Sequence, residues 1–169
     1  MKSFRLTLFI AVLVFSAKAA VQDHYPMYGV FFYNFTKYIQ WPDDYNQGDF
    51  EVMVLGETPM VAELKKLAER KKINGRSLKI TEITSVSEIK KCQAIFLSAS
   101  SSQLLPEVVK KVKGLSVLVV TEKEGSTKKG AAINYVEKDG KPAFEINLEA
   151  ANEHKLKVFS ELTKWAVVI

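Results

Sequence analysis

Cysteine is almost missing from this chain. Its 169 residues include one, Cys92. No disulfide can form within a single copy, so a fold placed in an oxidising compartment must take its stability from its core. Histidine is nearly as rare. His24 and His154 are the only two, and neither lies in a metal-ligand or nucleophile–base motif. A G-x-S-x-G nucleophile elbow is absent. Gly125-Ser126-Thr127-Lys128-Lys129-Gly130 starts like a phosphate-binding loop but continues as Ala131-Ala132. It lacks the Lys and the Ser or Thr that would hold the terminal phosphate and a magnesium ion. Asp43-Asp44 reads as a solvated turn, and the sequon Asn34-Phe35-Thr36 falls inside an aromatic helix. The expectation is a protein with no catalytic residue, no metal and no cofactor.

A strong excess of charge is missing too. The chain has 24 basic and 19 acidic residues, but Lys2, Arg5 and Lys18 lie in the first 19 residues, which hold no acid. The remainder has 21 and 19, a formal +2, which excludes the strongly basic, clustered surface of a nucleic-acid-binding domain. Lys65-Lys66, Arg70-Lys71-Lys72, Lys90-Lys91 and Lys110-Lys111 are spread over helix ends, where they complement the dipole. The first 19 residues themselves have a clear order. Met1 to Arg5 is charged, Leu6 to Phe15 is an apolar run of about ten residues, and Ala17-Lys18-Ala19 is an A-x-A exit. A spanning helix needs roughly 20 apolar residues. The segment is therefore read as a signal peptide cleaved after Ala19, which leaves residues 20–169 as one domain in the periplasm.

Helical and strand patterns alternate along those residues. Tyr25 to Ile39 reads as a helix stopped by Trp41-Pro42. Phe50 to Leu55 reads as a strand, Pro59 to Lys72 as an amphipathic helix, and Leu78 to Ile83 as a half-buried outer strand. Val86 to Lys90 is a short helix and Ala94-Ile95-Phe96-Leu97 a fully apolar strand. Ser101 or Ser102 caps a helix running to Lys113, and Val117 to Val120 is another buried strand. Ala132 to Val136 and Ala143 to Asn147 flank Asp139-Gly140, a hairpin signal. Leu148 to His154 and Ser160 to Val168 read as closing helices. The expected fold class is α/β: a mostly parallel sheet flanked by helices on both faces, with a C-terminal antiparallel hairpin.

Two regions stand out as candidate surfaces. The first helix holds Tyr25, Tyr28, Phe31, Phe32, Tyr33, Phe35 and Tyr38, followed by Trp41. Tyr25, Tyr28, Phe32, Phe35 and Ile39 share one face, and Met27, Phe31, Asn34 and Tyr38 form a second. One face can pack on the sheet. The second is covered either by the C-terminal helix of the same domain, the favoured reading, or by another chain. Phe31, Tyr33, Tyr38 and Trp41 are thus the candidate partner-binding residues, and a homodimer stays open. The other region is the crevice beyond the strand ends, where open parallel sheets bind ligands. Gly56, Ser98, Ser100, Thr121 and Glu122 are the candidate ligand-binding residues there, although helix caps and turns are the favoured account of such residues.

Several segments, in order, resemble the YfiR-like family of bacterial periplasmic proteins. They are Phe32-Tyr33-Asn34-Phe35-Thr36-Lys37-Tyr38-Ile39-Gln40-Trp41-Pro42, Val54-Leu55-Gly56, Ile73-Asn74-Gly75-Arg76-Ser77-Leu78, Cys92-Gln93-Ala94-Ile95-Phe96-Leu97-Ser98 and Phe144-Glu145-Ile146-Asn147-Leu148-Glu149-Ala150-Ala151. The resemblance implies a non-enzymatic regulator that binds the periplasmic sensor domain of an inner-membrane signalling protein. That partner is typically a diguanylate cyclase, which the subunit restrains, lowering cyclic-di-GMP and biofilm formation; elsewhere it is a sensor histidine kinase. Some members carry several cysteines and respond to redox. With Cys92 alone, a disulfide switch inside one subunit is not available here. The alternative is a periplasmic small-molecule-binding protein that uses the strand-end crevice.

Overall fold

A computed structural model describes residues 23–169. The expected leader and its cleavage site after Ala19 lie outside the described residues. The chain opens with helix α1 (Tyr25–Tyr38), which runs into a short strand β1 (Ile39–Gln40). Then come β2 (Phe50–Leu55), α2 (Met60–Arg70), β3 (Leu78–Ile83), β4 (Ala94–Leu97), α3 (Leu105–Lys111) and β5 (Leu118–Thr121). The hairpin strands β6 (Ile133–Lys138) and β7 (Lys141–Ile146) follow, then α4 (Leu148–Glu153), β8 (Lys157–Val158), α5 (Ser160–Thr163) and β9 (Val167–Val168).

The main sheet has seven strands in the order β3-β2-β4-β5-β6-β7-β9. All its pairings are parallel except β6–β7. The α/β architecture expected from the sequence is the one observed. Its physical basis is the two-residue period of the central strands. Val52, Val54, Phe96 and Val120 face one layer with Phe32 and Phe35 of α1 and Met60 and Leu64 of α2. Met53, Leu55, Ile95, Leu97 and Val119 face the other, with Val108 and Val112 around α3. A strand buried on both sides needs no polar face, so β4 and β5 read as unbroken apolar runs. At the edge, β3 exposes Lys79 and Glu82 and buries Leu78 and Ile83. Cys92 is a buried free thiol in the α3 layer.

The Asp-Gly signal is borne out. Asp139 (φ 52°) and Gly140 (φ 71°) both take left-handed backbone, as the tight hairpin turn requires. Two local expectations are corrected. The helix expected to start at Ser101 or Ser102 begins at Leu105, and residues Ala99–Leu104 wind as a 3-10 turn. Pro106 sits in the first turn of α3, where its missing N–H is harmless. The last helix covers only Ser160–Thr163. The chain then straightens into β9, which pairs with β7 and makes the sheet edge beyond the hairpin. In addition, β1 and β8 form a second, two-stranded antiparallel sheet that joins the end of α1 to the segment before α5.

Candidate partner-binding surface

Helix α1 lies on the sheet with α2 on one flank and the C-terminal segment on the other. Its inner face is core. Phe32 and Phe35 are fully buried, and Phe35 meets Phe144 edge-on with ring centres 5.0 Å apart. Tyr28 stacks on Tyr135 at 4.3 Å. The pair is tied by two hydrogen bonds: Tyr135 Oη donates to the Tyr28 carbonyl at 2.9 Å, and Tyr28 Oη to the Val136 carbonyl at 3.3 Å. Burial pushes the Tyr135 phenol well above its ordinary range and raises Tyr28 as well.

The second aromatic face is covered from within the chain, but only in part. Phe31 packs on Phe144 of β7 at 5.2 Å, and Tyr38 meets Trp165, just past α5, edge-on at 5.8 Å. Tyr33 faces α2 and carries the ammonium groups of Lys37 and Lys71 at 4.3 and 5.8 Å from its ring centre. All three rings are half-buried. The ridge between them is open: Val30 is 52% and Met27 44% exposed, and Trp165, across Tyr38, is 55% exposed. Val168 and Ile169 at the sheet edge are about half exposed as well. Sequence reasoning missed Val30 and Trp165, since neither stands out from apolar neighbours before the fold separates inward from outward positions.

Trp41 has a different place from the other three candidates. It is 5% exposed, packs edge-on against Phe50 at 5.1 Å, and donates its indole N–H to the Gln93 carbonyl at 3.0 Å. Gln93 is itself buried. It accepts from the Glu51 amide and donates to the Tyr45 carbonyl at 2.7 Å, while Tyr45 Oη accepts from the Ser116 amide at 3.2 Å. This knot closes the start of the sheet. Next to it, Arg76 donates to the carbonyls of Tyr45, Gln47, Gly48 and Asp49. The Trp-Pro, Asn-Gly-Arg and Cys-Gln segments therefore meet around one loop and hold it.

At the strand-end crevice the structure brings together Gly56, Ser98, Ser100 and Glu122. Their polar groups satisfy one another. Glu122 accepts from the Ala99 amide at 3.0 Å and from Thr58 Oγ1 at 3.3 Å. Ser98 and Ser100 share a hydrogen bond of 2.9 Å. A carboxylate of the chain thus already occupies the N-terminus where an anion would sit. The place has little spare room, since a Cβ added at Gly56 would clash with the hydroxyls of Ser98 and Ser101. Thr121 points elsewhere, to Asn134 Oδ1 at 2.8 Å. The Tyr25 phenol of α1 lies beside Thr58 and Glu122. Burial, with the Glu122 charge next, raises its pKa.

The two histidines are structural in placement. His24, before α1, bonds Glu137 at 3.0 Å. His154 is buried rather than solvated, with Nδ1 2.9 Å from the Leu115 carbonyl. Among the described residues no cluster of three or more His, Cys, Asp or Glu could hold a metal ion. No described helix is long and apolar enough to cross a membrane.

A family model described as YfiR/HmsC-like matches residues 26–167. Among solved structures, a conserved domain protein from Vibrio cholerae is similar, with a TM-score of 0.51 and 11% sequence identity. The likeness covers 70% of this chain and 54% of that one, so the chain spans about half of its length. At such identity the likeness speaks for the fold alone. No curated protein matches the sequence significantly.

Proposed function

The chain belongs to the YfiR/HmsC-like family, and we propose that it is an exported, non-enzymatic regulator that works by contact with a membrane signalling protein. The periplasmic domain of a diguanylate cyclase is the preferred partner, with cyclic-di-GMP and biofilm formation as the output. A sensor histidine kinase is the other membrane partner the family reading allows. The observation that carries the proposal is the open apolar ridge of α1, with Val30 and Met27 exposed beside half-buried Phe31, Tyr33 and Tyr38, and Trp165 exposed across Tyr38. Exposed apolar patches of this kind mark interaction sites, and a central aromatic anchor is typically worth about 2 kcal/mol or more. A small-molecule role has no comparable support, because the strand-end groups bond to one another.

The test separates surface from core. Val30→Asp and Trp165→Ala should melt within a few degrees of the wild type. Each should leave a deletion strain with the cyclic-di-GMP level of the deletion. A folded, abundant variant that restores normal signalling refutes the ridge as the contact. Growth of the purified protein into a stable dimer that dissociates on Val30→Asp would assign the ridge to a second copy instead.

A further inference from the structure

We propose that the groove between α1 and α2 receives an acidic helical segment of the protein partner, seated by one apolar side chain. This rests on the regulatory reading above and adds the chemistry of what is recognised.

The groove is a cavity of about 320 Å³. Its walls are Val30 and Tyr33 from α1 and Leu67 from α2, an apolar strip left open along its length. Gly29 sets its depth. A Cβ there would stand 3.2 Å from Cβ of Glu63, so glycine is what lets the two helices approach at this point. The volume lies at the bottom of the range for small-ligand pockets, about 300–1,000 Å³. An open trough of that size suits an anchor side chain on a longer segment.

Charge gives the chemistry. Along the α2 lip stand Lys66, Arg70 and Lys71, and Lys37 stands on the α1 side. Lys66 is matched by Glu63 at 2.7 Å. Lys37, Arg70 and Lys71 are exposed and form no ion pair among the described residues. The two helices end side by side here, and their dipoles supply roughly −0.5 each. Three unpaired cations exceed that by about two charges, so dipole compensation alone does not explain them. Two of the ammonium groups share the ring of Tyr33, an arrangement that a carboxylate between them would relieve. Lys66 and Arg70 are one helical turn apart, about 6 Å, which is the spacing of acidic side chains on the face of an opposing helix. Seating an amphipathic helix in an apolar groove with a charged rim is a recurrent mode of recognition.

The experiment uses the full chain in its native host. A deletion strain is complemented with wild type, with Arg70→Glu/Lys71→Glu, with the charge-conserving exchange Arg70→Lys/Lys71→Arg, and separately with Lys37→Glu. The reversed variants should melt and accumulate like the wild type yet leave cyclic-di-GMP at the level of the deletion, while the exchange should restore it. Reversed variants that are folded and regulate normally overturn the groove and leave the regulatory reading standing. A deletion that does not change cyclic-di-GMP overturns that reading, and the groove with it. Flotation with phosphatidylethanolamine–phosphatidylglycerol vesicles is the third arm. Absence from the vesicle fraction is expected, and co-flotation that is lost on Arg70→Glu/Lys71→Glu overturns the protein partner in favour of an anionic membrane surface.

Discussion

Arg76 is the residue on which a whole loop depends. Its guanidinium donates to four backbone carbonyls between Tyr45 and Asp49, at 2.7 to 3.2 Å. Only a planar fork of five N–H groups can reach that many acceptors at once. Removing it takes away bonds from a charged donor, while the Tyr45 carbonyl keeps Gln93 and the exposed carbonyls of Gln47, Gly48 and Asp49 turn to water. The loss is therefore that of one charged hydrogen bond, about 1.5–3 kcal/mol. Arg76→Ala should therefore lower the urea midpoint by that equivalent at unchanged slope, and Arg76→Lys should recover less than half of the loss. A midpoint unchanged by Arg76→Ala would mean that water replaces the guanidinium freely. Cys92 makes the opposite kind of contribution. Burial pushes its thiol from an ordinary value of 9.0 up to about 12. The folded thiol should resist iodoacetamide at pH 8 and react once the chain unfolds, and Cys92→Ser should leave regulation intact. Fast labelling of the native protein would show that the site opens. Burial of Cys92 was legible from its place two residues before the apolar run Ala94–Leu97, whereas the role of Arg76 was not. Arg76 sits in what reads as a turn, and its acceptors lie 27 to 31 residues earlier along the chain.

At the scale of elements, α1 divides its aromatics between two duties. Phe35 is fully buried among Phe32, Tyr135 and Phe144, whereas Tyr38 is half-buried at the margin of the core, with Trp165 as its aromatic partner. Phe35→Ala should destabilise by about 3–5 kcal/mol, as large-to-small changes in cores do. Tyr38→Ala should cost only about 1–2 kcal/mol, close to the worth of one aromatic pair plus partial burial. Urea unfolding of the two variants checks the ranking, and equal losses would make Tyr38 core and remove it from the partner surface. The helical period of Tyr25–Tyr38 and the apolar runs of β2, β4 and β5 were legible because local pattern and tertiary burial agree there. The hairpin was legible from Asp139-Gly140. The segment after Ser160 was not. Two-residue strands such as β1, β8 and β9 have no period to read, and pairing with distant partners alone makes them strands. The candidate surface was half legible for the same reason. An aromatic-rich helix announces itself, but only the packed fold shows that Trp41 turns inward while Val30 turns out.

Across the whole molecule, titration and topology each have a consequence. The Cys92 thiol and the phenols of Tyr25, Tyr28 and Tyr135 all hold their protons to higher pH in the fold than in a solvated chain. Above about pH 9 the unfolded chain binds fewer protons than the folded one, so stability falls with rising pH. This contribution is complete below about pH 9, and the share of Cys92 is lost toward about pH 12. Melting temperature should be nearly flat from pH 7 to 9 and decline beyond it, less steeply in Cys92→Ser. A flat profile to pH 11 would show that these groups are more solvated than the packing allows. Export makes its own prediction. Mass spectrometry of protein from the native host should find an N-terminus at Ala20, and intact chain starting at Met1 would refute cleavage. The small sheet of β1 and β8 bears on how the two processes are ordered in time. It pairs Ile39 with Val158 and Gln40 with Lys157, contacts between segments more than a hundred residues apart. Such closures are slow, because the loop must be immobilised before the contact rewards it, and this one cannot begin until residue 158 has left the ribosome. On the proposed route of export, this closure forms only after the last segments of the chain have been made, so it cannot obstruct the passage of earlier segments through a narrow channel.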